Sequence, residues 1–419
     1  MKILQINTWD TEGGAARGAY WMHQGLLRLG IDSNMLVCYK SSVDPTIFSV
    51  DRFRLRDRVQ REIQLYFNYT VLRRYPQQKV ELFSPARVGE NIEPKLRQIN
   101  PDLVNLHWIC CSFLTPEAIA KINKPLVWTL RDIWGMTGGC HYFEDCTRYQ
   151  DRCGRCPLLG STKEEDLSRQ VWQRKYKAWQ NLDITIVAVS QWVADCARRS
   201  SLFRDRRIEV IHNAIDTDIF KPRDRSTVRS ILELPQNRNI IAFVALNATR
   251  DRRKGFEYLV SALQQLAANG WGETTEAIVI GANPPENPPD LGLKTTYLGR
   301  FNDNITLAMA YGSADAVIVP SLQDACPKTP IEALACGTPV VCFDTSGLKD
   351  IVSHQENGYR AECFNSEDLA AGIAWVLEDK ERWRSLSDSA RTTAETQFST
   401  QVQARSYRQL YQDILQRST

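Results

Sequence analysis

The stretch that most restricts what this chain can fold into is residues 315–347, DAVIVPSLQDACPKTPIEALACGTPVVCFDTSG. Ala316-Val317-Ile318-Val319 is an unbroken apolar run, too short for a helix and closed by Pro320-Ser321, the pattern of a strand buried on both faces. Pro339-Val340-Val341-Cys342-Phe343 repeats it. Between the two, Thr329-Pro330-Ile331-Glu332 carries helix start signals: Thr329 is expected as N-cap, Pro330 as the first helical residue, and Glu332 as the second member of a capping box. Gly337 suits the residue just past the helix end. Two doubly buried strands joined through a helix are parallel partners in a helix-covered sheet. The helix then starts at the carboxyl edge of that sheet, where an anion meets backbone N–H groups and the positive end of the dipole. Two carboxylates, Asp324 and Glu332, bracket the loop. Taken singly they read as a solvated loop residue and a helix cap.

The same alternation runs along the chain. Residues 2–7 (KILQIN), 33–38, 101–107, 125–130, 183–189, 240–246, 277–281 and 296–298 read as further strands, with helical segments between them, and Ser190 is expected to cap one of these helices. At 419 residues the chain exceeds one hydrophobic core, so two α/β domains are expected. A net charge of +3 argues against nucleic acid as main partner. No apolar run reaches the ~18 residues of a membrane span. Met1-Lys2 leads straight into a strand rather than a secretory leader, and twelve scattered cysteines then fit a reducing cytoplasm better than a disulfide framework.

Several clusters fall where a parallel sheet collects ligands. Gly13-Gly14 follows the first strand and opens a helix that Gly30 ends; it is either a simple turn or an anion-binding loop, with Arg17 one turn further on. His107 and Arg131 end two strands. An arginine cannot act as a base near neutral pH, so Arg131 is read as a hydrogen-bond donor. Arg250, Arg252, Arg253 and Lys254 put four cations in five residues before Gly255 at a helix start, which suits a pyrophosphate. Cys140, Cys146, Cys153 and Cys156 crowd one loop; they are read as a structural zinc site, as free thiols or as disulfides, and four thiolates leave no open position for catalysis. Between Arg52 and Arg74 seven arginines face Asp57 and Glu62, interleaved with apolar residues. Packing of the apolar side on its own domain is the preferred expectation, docking on anionic lipid or on a phosphorylated acceptor the alternative.

The residues Pro320, Ser321, Asp324, Glu332, Ala333, Ala335, Gly337, Pro339, Val340 and Val341 match the signature P-S-x-x-E/D, seven residues, E-A-x-A-x-G-x-P-V-V, and the chain is thereby similar to the group 1 glycosyltransferases (glycosyltransferase family 4, GT-B fold). Lys254-Gly255 resembles the K-G motif of that family, and residues 212–222 (HNAIDTDIFKP) its I-x-N-G-V-D-x-x-x-F-x-P segment. The G-G-C-H-Y…C-G-x-C-P run looks like a polysaccharide-biosynthesis sub-branch. Asp324 stands for the more usual glutamate, Arg131 for a histidine, Thr249 for an arginine and Ala214 for a glycine. Arg250, Arg252 and Arg253 are the candidates to replace that arginine.

The resemblance implies two Rossmann-like doubly wound domains facing across a cleft. Residues 1–220 would form an acceptor domain and 221–395 a nucleotide-sugar domain, with a last helix at 396–419 returning to the first. It further implies a retaining hexosyltransferase that moves a sugar from a nucleotide-diphosphate sugar to a glycan or lipid-linked acceptor in polysaccharide biosynthesis, with no metal needed for chemistry. Asp324, Lys254 and His107 are implied as catalytic. Glu332, Arg250, Arg253, Arg300, Ala325, Cys326, Lys328 and Thr329 are implied around the donor. Gly13, Gly14, Arg17 and Arg131 are implied around the acceptor or a phosphate. The departures keep two alternatives open: a sugar-nucleotide epimerase of the same fold, and an inactive sugar-nucleotide or membrane-binding scaffold. The expected location is the cytoplasm, with contact to the inner-membrane surface as an option.

Overall fold

The alternation of strands and helices resolves into two wholly parallel sheets. The structure is a computed structural model, and it describes residues 1–50, 55–75, 83–244, 251–301 and 303–417. By its contacts the chain divides into two units, Met1–His212 with Gln403–Thr419, and Asn213–Val402.

The first unit contains β1 (Lys2–Trp9), β2 (Asp32–Tyr39), β3 (Ile47–Ser49), β4 (Leu103–Leu106), β5 (Leu126–Leu130), β6 (Ile184–Ala188) and β7 (Ile208–Val210). Its helices are α1 (Gly13–Arg28), α2 (Leu55–Tyr69), α3 (Glu93–Ile99), α4 (Pro116–Ala120), α5 (Leu167–Trp179) and α6 (Gln191–Arg199). The sheet order is β3-β2-β1-β4-β5-β6-β7. Ile3 lies opposite Ser33 on one side and Leu103 on the other. The expected cap is present: the Ser190 side chain accepts from the Val193 backbone N–H at the start of α6. All of β4, β5 and β6 is buried, as apolar strands covered on both faces must be.

The second unit contains β8 (Asn239–Val244), β9 (Thr275–Ile280), β10 (Lys294–Tyr297), β11 (Ala316–Val319), β12 (Val340–Phe343) and β13 (Gly358–Ala361), in the order β10-β9-β8-β11-β12-β13. Its helices are α7 (Arg225–Ile231), α8 (Phe256–Leu266), α9 (Asn304–Ser313), α10 (Lys328–Ala335), α11 (Ser366–Leu377) and α12 (Lys380–Gln397). Ile241, Ala277, Ile318, Val341 and Phe343 of the sheet pack with Leu259, Leu263, Leu369 and Ile373 of α8 and α11.

The last helix, α13 (Thr400–Arg417), completes the core of the first unit. Its Ala404, Tyr407, Leu410 and Tyr411 cluster with Ile3, Met22, Leu26, Leu103, Val127 and Val187. Polar residues buried in the sheet find their partners here. Asn105 donates to the Tyr411 hydroxyl at 2.8 Å, and Thr129 shares a 2.9 Å hydrogen bond with the Tyr407 hydroxyl. Without Tyr411 the buried Asn105 amide N–H would carry a desolvation cost of ~1–3 kcal/mol, while Thr129 would keep its 3.1 Å bond to Asn105 Oδ1.

Both sheets have the doubly wound order in which the direction of winding reverses beside the first strand, at β1/β4 and at β8/β11. Ligands of open parallel sheets collect outside the carboxyl ends of the strands at these two points. In the first unit those ends are Trp9-Asp10 and His107-Trp108; in the second, the β11 end is Pro320-Ser321.

Candidate functional site

In the second unit, segments far apart in sequence converge beyond β11. Helix α10 starts at Lys328 with Pro327 as N-cap, has no side-chain cap bond, and carries no acidic residue in its first turn. This corrects the expected start: Thr329 is not the cap, and Pro330 sits inside the first turn, where a missing N–H leaves no intrahelical bond unmade. Gly337 lies just past the helix end with φ +72°, as its position foretold. Glu332 is buried and accepts from the Tyr311 hydroxyl of α9 at 3.1 Å.

Gly255 brings the basic loop to this place. Its φ is +64°, and a Cβ there would lie 1.9 Å from the Pro320 carbonyl oxygen, so only glycine lets the two backbones meet. The Leu322 N–H donates to the Arg253 carbonyl at 2.7 Å, which ties the same two segments together. Lys254 Nζ then reaches Asp324 Oδ2 at 2.7 Å. The Asp324 loop is held from behind: its N–H donates to Ser346 Oγ at 3.0 Å, and Gly347 N–H donates to its carbonyl at 3.0 Å. Asn213 Nδ2 donates to the Cys326 carbonyl at 2.8 Å and steadies the approach to α10.

The donor residues expected from sequence therefore separate into two groups. Asp324, Ala325, Cys326, Lys328, Thr329 and Glu332 follow one another from the loop into α10, and Lys254 joins them. Ala325 and Cys326 are buried, Lys328 and Thr329 half-buried. Arg253 is turned to Asp251, with Nη2 2.6 Å from Oδ2. Arg300 is exposed beyond β10. Arg250, like Thr249, lies outside the described residues. Tyr311, Ser346 and Gly347 are not expected as site residues from sequence, because each carries only an ordinary turn or helix signal, whereas Asn213 lies in the 212–222 segment that resembles the family's. What the arrangement offers is an ammonium, a helix N-terminus and two buried carboxylates, suited to phosphates and hydroxyls respectively.

In the first unit Gly13 and Gly14 open α1, whose N-cap Glu12 makes no side-chain bond. A Cβ added at either glycine meets nothing within 4 Å, so both face open space, and φ at Gly13 is +84°. Arg17 lies over the Trp21 ring at 5.1 Å. Asp10 closes the neighbouring edge by accepting from the N–H groups of Ser41 (2.9 Å) and Ser42 (2.7 Å). Burial pushes its carboxyl upward, but these donors outweigh it and hold it below the usual carboxylate range.

His107 is buried and both ring nitrogens are engaged. Nε2 lies 2.9 Å from the Gln5 side-chain oxygen, which can only accept, so Nε2 carries the proton. Nδ1 accepts from the Arg131 guanidinium, 3.3 Å from Nε and 3.2 Å from Nη2. Burial, then the Arg131 charge, hold its pKa well below the ordinary value. His107 is thus a neutral histidine fixed against Arg131. Next to it, Asp132 accepts from Trp108 Nε1 (2.7 Å), His141 Nδ1 (2.6 Å) and the Trp134 N–H (2.8 Å). Lys175, fully buried, donates to the carbonyls of Trp134 and Thr137 and lies 3.5 Å from the Trp134 ring centroid. These bonds stiffen the loop that carries the cysteines.

Cys140, Cys146, Cys153 and Cys156 are free thiols. Among the described residues no three His, Cys, Asp or Glu side chains are grouped as a metal ion requires. Burial raises the thiol pKa of Cys153 to about 12 and of Cys156 to about 11.

Comparison with known proteins agrees in both units. Residues 12–219 match the model of Glycosyltransferase Family 4, and residues 224–393 that of Glycosyl transferases group 1. A curated relative is the putative colanic acid biosynthesis glycosyl transferase WcaC of Escherichia coli K12, 25% identical over 374 residues, 84% of this chain and 85% of that protein. Among solved structures, the sucrose-phosphate synthase of Thermosynechococcus elongatus superposes with a TM-score of 0.70 over 99% of both chains at 18% identity. Anabaena Alr3699/HepE in complex with UDP-glucose superposes with a TM-score of 0.63 over 99% of this chain and 100% of that one, at 17% identity.

Proposed function

This chain belongs to the group 1 glycosyltransferases of the GT-B fold, and from that premise we propose that it moves a hexose from a nucleotide-diphosphate sugar to a glycan or lipid-linked acceptor, with retention of configuration. The observation that carries this is the placement of Lys254 against Asp324 at 2.7 Å, beside the start of α10 and the buried Glu332. Lys254 and the α10 N–H groups meet the diphosphate and stabilise its charge as the glycosidic bond breaks, which is usually the largest catalytic contribution. Glu332 accepts from both ribose hydroxyls, with Tyr311 holding it in place. Asp324 and the backbone from Ala325 to Lys328 accept from and donate to the sugar hydroxyls. Asp324 also keeps the Lys254 ammonium aimed while the site awaits donor.

The first unit takes the acceptor, with Gly13 and Gly14 leaving room for a ligand to approach the backbone and Arg131 donating to it. His107 holds Arg131 instead of abstracting a proton, because its basic nitrogen already accepts from that guanidinium. The acceptor hydroxyl therefore attacks from the face the diphosphate leaves, and a phosphate oxygen of the leaving group takes its proton. That path needs no protein nucleophile and gives retention. Polysaccharide assembly is supported by the name of the Escherichia coli relative, and a UDP-linked donor by the ligand of the Anabaena structure.

The test is to supply radiolabelled nucleotide sugars with and without glycan acceptors, and to read the anomeric configuration of the product by NMR. Label in an acceptor with the donor's configuration is the expected result. Donor isomerised without acceptor indicates an epimerase, inversion refutes the same-face path, and binding without turnover indicates an inactive scaffold.

A further inference from the structure

Helix α2 turns one face of large apolar side chains outward. The side it turns inward carries Arg61 and Asn68 with Leu72 just beyond its end, all buried. The Arg61 guanidinium lies over the Tyr39 ring at 3.4 Å. Asn68 donates to the Val88 carbonyl at 2.8 Å and accepts from the Arg87 N–H at 2.6 Å. Val59, Ile63, Tyr66 and Phe67 recur at the spacing of one helix face, and that face is outward, with exposures of 52%, 48%, 56% and 55%. The preferred expectation for this stretch, apolar side packed on its own domain, holds for Tyr69, Val71 and Leu72, which pack with Phe83, Leu158 and Val171, and is corrected for Val59, Ile63, Tyr66 and Phe67. Asn68 finds its partners inside and Arg61 stacks on a ring, while four large apolar side chains of the helix stand outside. Among the described residues the other large exposed apolar side chains, such as Val43, Ile231 and Phe364, lie singly in sequence.

The apolar face is set among cations. Between residues 55 and 74 the sequence has five arginines against Asp57 and Glu62. Arg73 lies over the Tyr66 ring at 5.5 Å, and Arg87 Nη1 donates to the Phe67 carbonyl at 3.2 Å, so two guanidinium groups border the aromatic pair. Arg73, Arg74 and Arg87 are exposed, as is the acidic Glu62.

We propose that the outward face of α2 is a docking surface for an anionic lipid bilayer, with Val59, Ile63, Tyr66 and Phe67 entering the acyl boundary and Arg73, Arg74 and Arg87 on the phosphate layer. Charge decides between occupants. A second copy on the same face would double its positive charge instead of neutralising it. A sheet of anionic headgroups matches an apolar stripe edged by arginines without needing any fixed shape. The inference stands on α2 and its neighbours alone, so it can fail while the donor site stands, and the reverse.

The test is co-sedimentation of the full chain with vesicles of phosphatidylcholine alone and of phosphatidylcholine mixed with phosphatidylglycerol, at low and high salt. The chain is expected to bind only the mixed vesicles, and less at high salt. Ile63→Ser with Phe67→Ser, and separately Arg73→Glu with Arg74→Glu, should each lower partitioning tenfold or more while leaving the melting temperature unchanged, since these side chains are exposed. The arginine pair keeps the test decisive where the serine pair perturbs folding. No binding to mixed vesicles, equal partitioning of both variants, or dimerisation in solution that the serine pair abolishes would each overturn the proposal.

Discussion

Replacing Gly255 by alanine should damage the donor site more than the fold. The new Cβ would stand 1.9 Å from the Pro320 carbonyl oxygen, whereas real contacts of this kind do not fall under 3.0 Å, so the two backbones must part by at least 1.1 Å. Holding a non-glycine residue at φ +64° costs about 1–2 kcal/mol besides. In a unit of this size that lowers the melting temperature by about 2–8 °C. The larger effect is on chemistry. Lys254 is the preceding residue, and its 2.7 Å contact with Asp324 does not survive a shift of that size. Misplacing a charged group by about 1 Å costs on the order of 10²-fold in rate, or about 2.7 kcal/mol of transition-state stabilisation. Differential scanning calorimetry together with initial rates of donor turnover reads both effects. Gly14→Ala is the control: a Cβ there meets nothing, so the melting temperature should hold or rise, while activity falls where acceptor approaches that backbone. Wild-type turnover in Gly255→Ala, whatever its melting temperature, would refute the reasoning that Gly255 places Lys254.

Other outcomes follow from the same geometry. Tyr311→Phe removes a hydrogen bond to the buried Glu332 and should weaken donor binding about tenfold, read by calorimetry. Tyr407→Ala empties a fully buried site in the first unit and breaks the bond to Thr129, so urea unfolding should show a loss of about 3–5 kcal/mol. His23 is buried between Ser33 and Thr46, each 2.8 Å from a ring nitrogen, and burial lowers its pKa from 6.5 to about 4. Between those two values the unfolded chain binds the proton and the folded chain does not, so stability falls as pH drops from 6.5 to about 4. His23→Asn should flatten that stretch of the urea-midpoint profile against pH.

The fold was largely legible because doubly buried parallel strands write themselves as short apolar runs, and 316–319 and 340–343 are found where those runs stand. The helix start was misread by two residues: Thr329-Pro330 carries a strong capping pattern, yet Pro327 already supplies the extended backbone that enters the helix. The signature residues Asp324 and Glu332 were legible as a pair, but the partners that hold them were not. Tyr311 and Ser346 reach the site from other elements, and nothing local to a tyrosine in a helix tells which carboxylate it will meet. His107 shows the same limit. Its place at a strand end was readable, while the guanidinium that occupies its basic nitrogen comes from the next strand. The outward apolar face of α2 was hidden for a related reason, since period alone marks an apolar face without saying which way it turns.

A nucleotide-diphosphate sugar held by the second unit through Lys254, the α10 N-terminus and Glu332 is the centre of the proposed function. Isothermal titration of the chain with a panel of such donors, repeated on Lys254→Ala and Glu332→Ala, tests it most directly. At least one donor should bind the native chain, and each variant should bind that donor a hundredfold or more weaker. A panel in which no donor binds, or in which both variants bind as the native chain does, would contradict it.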